Sequence, residues 1–122
     1  MFHSFEDLDV WKRSCQQAVD VCLIVSEWKM FSLRDQMQRS AISVPSNIAE
    51  GQKRDSKKDF IRFLRISKGS NGELRTQIYI AQKLNLIDSK TGKALVNESK
   101  EISAMLQGLI NSLKRPDQNT AN

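Results

Sequence analysis

Arg54, Lys58, Arg62, Arg65 and Lys68 recur at gaps of four, four, three and three residues. On a helix that spacing lines the side chains along one face. The chemistry open to such a face is electrostatic. A row of guanidinium and ammonium groups holds phosphate oxygens, and arginine adds forked contacts that lysine makes less well. The excess charge of the chain is concentrated here. Residues 53–75 carry eight Lys/Arg against three acids, a net of +5, and the rest of the 122-residue chain carries eleven of each. A neutral body with one basic segment indicates where a polyanion would dock. Five phosphate contacts on duplex DNA would give a slope of log K against log salt of about −4.5. The competing reading is a solvated helix surface. No exposed aromatics interleave the basic residues, so nothing in the sequence specifies stacking or base readout.

A second group lies just upstream, at Pro45, Ser46, Asn47, Glu50 and Gly51. Read sharply, Ser46, Asn47 and Glu50 are a catalytic or ligand pocket. Read plainly, they satisfy a backbone disturbed by Pro45 and meet Ser67, Ser70 or Asn71 of the following helix, because buried polar groups need partners. The plain reading is preferred, and Glu50 is also placed to pair with Arg54. His3 is the only histidine and falls in a terminus expected to be mobile, which disfavours Ser-His or Cys-His catalysis. Cys15 and Cys22 stand seven apart, about 10.5 Å along a helix, beyond disulfide reach. They are expected to be buried free thiols. With one distant histidine they make a poor metal site. Thr91-Gly92-Lys93 lacks the glycine-rich start of a phosphate loop. No metal, cofactor or enzymatic activity is expected.

These residues must be positioned by helices. Leu8, Trp11, Cys15, Ala18, Cys22 and Val25 form a heptad-like seam, with Val10, Val21, Ile24 and Trp28 as a second stripe beside it, which predicts a first helix with a wide buried face from Leu8 to Glu27, capped by Asp7. Ser32, with Asp35 after it, is expected to cap a second helix whose stripe is Leu33, Met37, Ala41, Val44 and Ile48. Pro45 interrupts that stripe at a cost of about 3 kcal/mol. The phase persists across it, so a kink is favoured over a break, with Gly51 at the C′ position. Ser56 and Asp59 start a third helix with the seam Phe60, Leu64, Ser67, Asn71, Leu74, Ile78 and Ala81, ending near Leu86. The five basic residues fall on the opposite side, as do Gly69 and Gly72, where another backbone or a phosphate could approach. Residues 88–92 read as a turn and cap. Leu95, Ile102, Met105, Leu106, Leu109 and Leu113 build a fourth helix to Lys114. The fold class is all-α, an antiparallel up-down-up-down four-helix bundle over residues 1–115 with a disordered polar tail from 116 to 122. No apolar run suits a membrane span. The opening lacks the features of a signal peptide, so the expected compartment is the cytoplasm.

Ser43-Val44-Pro45-Ser46-Asn47-Ile48-Ala49-Glu50-Gly51 resembles the signature of the four-helix bundle proteins associated with intervening sequences of bacterial 23S ribosomal RNA genes. Phe5-x-x-Leu8-x-Val10-Trp11, Phe60-x-x-Phe63-Leu64 and Gly69-Ser70-x-x-Glu73-Leu74 support the likeness, which extends from Phe5 to about Leu113. Asn71-Gly72 before Glu73 departs from the pattern and bears on the straightness of the third helix. The resemblance implies a small antiparallel bundle assembled into a ring-like homopentamer, with nucleic-acid binding proposed and no agreed biochemical activity. Together with the basic face, it leads to an oligomeric bundle that binds RNA or DNA. The alternative is a non-catalytic scaffold for protein partners.

Overall fold

The computed structural model describes residues 4–116. Among these residues the chain is all-α, with four long helices and no strand. A single 3-10 turn, Phe5–Asp7, leads into α1 (Asp9–Val25), followed by α2 (Phe31–Lys53), α3 (Lys57–Lys83) and α4 (Ser89–Lys114). Each helix packs on the next, and α1 closes the four-helix bundle against α4. His3 and residues 117–122, for which a mobile terminus and a disordered tail are expected, lie outside the described residues.

The helix ends follow local chemistry, not always at the expected residue. Ser56 caps α3, its Oγ accepting from the Asp59 N–H at 3.2 Å. Asp88 caps α4, with one carboxylate oxygen accepting from the Thr91 N–H at 2.7 Å and the other from its hydroxyl at 3.0 Å. These bonds stabilise the ionised form, and the Asp88 carboxyl is held below its ordinary range. Residues 89–92 are thus the first turn of α4. Asp7 does not cap α1. It belongs to the 3-10 turn, and Leu8 holds the cap position without a side-chain bond. Ser32 does not cap α2 either. The helix begins one residue earlier, and Asp35 instead accepts from Arg34 Nε. Helix α3 stops at Lys83, three residues short of expectation, because Asn85 adopts φ 59°. Its N–H bonds the Gln82 carbonyl and the Leu86 N–H bonds the Ala81 carbonyl, the paired closure of a Schellman end.

Helix α2 runs unbroken through Pro45 and past Gly51, which is not a C′ residue. Gly51 is required for another reason. A Cβ there would stand 2.6 Å from Phe63 Cβ and 3.3 Å from the Phe60 carbonyl oxygen, so α2 and α3 meet at a point with no room for a side chain.

The apolar residues collect in two clusters. One contains Val21, Val25, Met37, Leu74 and Ile78, and the other Val44, Ile48, Leu64, Ile102 and Leu106. Fully buried polar residues from three helices accompany them. Asn71 Nδ2 donates to the Ser99 carbonyl at 2.7 Å, and Asn71 Oδ1 accepts from Gln17 Nε2 at 3.3 Å and from Ser99 Oγ at 3.2 Å. Every residue of the seam expected for α3 is buried, polar centre included. Of the two stripes expected for α1, Leu8, Val10, Ala18, Val21 and Val25 are buried, with Ile24 and Trp28 packed against the core. Trp11, Cys15 and Cys22 are only partly buried, and Ser14 and Gln17, which neither stripe includes, point inward. The cysteines are free, and burial raises the Cys15 thiol pKa. The correction has a physical cause. Gln17 enters the core because Asn71 is there to receive its amide, which apolar periodicity cannot register.

Candidate nucleic-acid interface

The first three turns of α3 carry Lys58, Arg62 and Arg65, all exposed. The Ser56 cap fixes where the helix starts, and burial of Phe60 and Leu64 fixes which way it faces. The three cations are thereby turned to solvent. Asp59 is the acid nearest the row, with Oδ1 3.9 Å from Arg62 Nε. The Arg62 guanidinium also lies 4.6 Å from the centre of the Phe63 ring, a contact that restrains a long side chain.

The other two residues of the sequence row are placed differently. Arg54 is the C-cap of α2, not a residue of α3. It donates to Glu50 Oε1 at 2.8 Å and lies 4.9 Å from the Phe63 ring centre. Lys68 lies toward α4, where its ammonium donates to Gln107 Oε1 at 2.7 Å. The helix turns 100° per residue, so a run of threes and fours drifts, and Lys68 has rotated from the outer face to the α3–α4 seam. In their place the structure brings up Lys114, from the last turn of α4. Lys58, Asp59, Ile61, Arg62, Arg65, Ile66 and Lys114 line one surface concavity of about 780 Å³. Four cations and one acid give it a local charge of +3. Sequence reasoning missed Lys114 because it lies 49 positions from Arg65 and no pattern connects them.

The Pro45 group has a second arrangement. Asn47 Nδ2 donates to the Ser43 carbonyl and to Ser43 Oγ, both at 2.9 Å. Ser43 Oγ meets Ser70 Oγ at 2.8 Å, and Ser67 Oγ donates to the Val44 carbonyl at 2.8 Å. Ser46 is exposed. These bonds tie α2 to α3 around the proline, so the amide and hydroxyls are engaged in holding two helices together. Among the described residues, no group of three or more His, Cys, Asp or Glu is arranged to hold a metal ion. No helix of the described residues is long and apolar enough to cross a membrane.

The sequence pattern of the 23S rRNA-intervening sequence protein family matches residues 6–108, which span all four helices. The chain belongs to that family. Within this 23S rRNA-intervening sequence protein, the matched region contains the Lys58–Arg65 row and the Pro45 group, and it ends before Lys114. A similar solved structure is that of a protein with unknown function from the S23 ribosomal protein family of Bacteroides thetaiotaomicron. It is 28% identical, with a TM-score of 0.79, over 83% of this chain and 97% of the other. No curated protein matches the chain. Membership accounts for the helical architecture and leaves the biochemical role to be argued from the surface.

Proposed function

We propose that this protein is a non-catalytic, cytoplasmic, nucleic-acid-binding assembly that holds RNA or DNA by its phosphates. The observation that carries the reading is the +3 concavity in which Lys58, Arg62, Arg65 and Lys114 converge from two helices. Two helices supplying one cationic surface is a more specific arrangement than a solvated lysine-rich face. The family name, which refers to ribosomal RNA, points the same way.

The finer architecture belongs to the same proposal. The bundle is antiparallel, up-down-up-down, and α2 bends at Pro45. Contacts between α2 and α3 run in opposite directions, with Ser43 at Ser70, Val44 at Ser67 and Gly51 at Phe63. Those between α3 and α4 do likewise, with Lys68 at Gln107, Asn71 at Ser99 and Gln82 at Gly92. Pro45 has no N–H for the carbonyl four residues back, which favours a bend there. The protein assembles as a homo-oligomer, a pentamer by the resemblance. Support comes from an apolar groove on α1 and α2 formed by Ala18, Val19, Cys22, Leu23 and Ile42. Val19, Leu23 and Ile42 are among the exposed large apolar side chains.

The test is binding of duplex DNA, RNA hairpins and single strands over a salt series, with wild type and Arg62→Glu/Arg65→Glu compared at verified assembly mass. Four contacts per protomer on duplex DNA give an expected log–log slope of about −3.6, shallower than the five-residue row would give. The double variant is expected to lose binding at unchanged mass. Absence of binding near physiological salt, or binding indifferent to the double substitution, overturns the proposal.

A further inference from the structure

The cationic row is not surrounded by polar surface. At 100° per residue, Lys58, Arg62 and Arg65 fall within an arc of roughly 60° on α3. Ile61 stands about 40° beyond one edge of that arc and Ile66 about 40° beyond the other. Ile66 is 41% exposed, and Ile61 is partly buried against the core. Both isoleucines line the same concavity as the four cations. At about 780 Å³ it falls in the size range of pockets that seat small ligands, ~300–1,000 Å³.

We propose that this concavity binds single-stranded nucleic acid, with the backbone following Lys58, Arg62 and Arg65 and unstacked bases resting on Ile61 and Ile66. The inference rests on the reading that the basic face binds nucleic acid, and it names the form of that ligand. A cationic row alone suits a duplex and a single strand equally. The flanking isoleucines do not. A duplex presents phosphate and sugar outward and keeps its base faces stacked inside, so aliphatic side chains beside its backbone meet only sugar edges. A flexible strand can turn its bases outward, where they stack on planar groups such as arginine or cover the apolar area of an exposed aliphatic side chain. Arg62 contributes here as well. Its guanidinium lies 4.6 Å from the centre of the Phe63 ring, and a planar cation beside the backbone track can offer a stacking face as well as donors. The pattern of phosphate-holding groups in the middle and base-covering groups on both sides matches a single strand in charge and in polarity. An acidic peptide would match the charge alone. A membrane surface would call for a broader apolar face than two isoleucines.

The experiment compares four probes on the wild-type assembly at low salt: a short mixed-sequence single strand, an abasic sugar–phosphate strand with the same number of phosphates, the corresponding duplex, and an acidic peptide of equal charge. Anionic phosphatidylserine vesicles serve as a fifth probe. The single strand is expected to bind about tenfold more tightly than the abasic strand, through the apolar surface that its bases cover on the isoleucines. Ile66→Ser is expected to shrink that ratio toward one while leaving the abasic affinity unchanged. Helical circular dichroism and assembly mass verify the variant, and the base-dependence itself is read on wild type alone. Equal affinity for the abasic and base-bearing strands, or tighter binding of the duplex, overturns the single-strand inference and leaves phosphate binding standing. Binding of only the acidic peptide or only the vesicles overturns both.

Discussion

At the scale of single residues, the glycines Gly51 and Gly69 both lie inside helices and have opposite roles. Gly51 sits where α2 touches α3, and any Cβ collides with Phe63 Cβ and crowds the Phe60 carbonyl. Gly69 lies exposed in the interior of α3 with nothing within 4 Å of an added Cβ. Gly51→Ala should therefore destabilise the protein by about 1–3 kcal/mol, overpacking outweighing the gain in helix propensity. Gly69→Ala should stabilise it by up to about 1 kcal/mol, since only propensity changes. Urea unfolding of both variants beside wild type gives the comparison, and a stabilised Gly51→Ala would show that the α2–α3 contact yields more easily than its geometry implies. The sequence marked Gly51 as special but for the wrong reason, as a helix end. A clash depends on the partner surface, and Phe60 and Phe63 come from another helix. Lys68 teaches the same lesson: its spacing fits the basic row, yet Gln107 of α4 engages it. The Arg54–Glu50 pair, one turn apart at the end of α2, was by contrast legible from spacing alone.

Between elements, the least apparent junction in the sequence is that of α1 with α4. Arg13 donates to Glu98 and, at 2.7 Å, to Glu101, residues more than eighty positions away. The hydrogen bonds from Arg13 hold the Glu98 carboxyl below its ordinary range, against an opposing effect of burial, and the same pairing raises the Arg13 pKa. A depressed carboxylate contributes stability that is fully present above the unfolded value, about 4.3, and lost as pH falls through the lower folded value. Glu98→Gln should lower stability at neutral pH by about 0.5–1 kcal/mol, a modest figure because the side chains of Arg13 and Glu98 are 39% and 32% exposed. The difference from wild type should close below about pH 4 and shrink in high salt. Denaturant midpoints across pH measure it, and a difference that stays constant into acid would show that the ion pair is not its source. Helix identity and the α3 seam were legible because their spacing is local. The polar part of the α1 face was not, since Ser14 and Gln17 are core residues only by virtue of what surrounds them.

For the molecule as a whole, the consequential surfaces are the cationic concavity on α3–α4 and the apolar groove on α1–α2. If a second copy covers the groove, a charge placed in it should separate the protomers. Leu23 is 69% exposed and outside the core, so Leu23→Glu should leave the fold of each protomer intact. The expected outcome is a fall in mass by sedimentation, with helical content retained and nucleic-acid affinity weakened as the cationic sites cease to act together. An unchanged mass would remove the groove from consideration as the interface. By itself, the sequence determined that this chain is four helices with a basic segment at the start of the third, and it carried the family's motifs. Helical periodicity, capping residues and net charge are properties of neighbouring positions, so they can be read along the chain. Only the tertiary structure decided that Lys68 turns to α4, that Lys114 joins the basic row, that Gln17 belongs with Asn71, and that Gly51 marks a contact. Each of these depends on which side chains from distant positions share a space, and packing settles that.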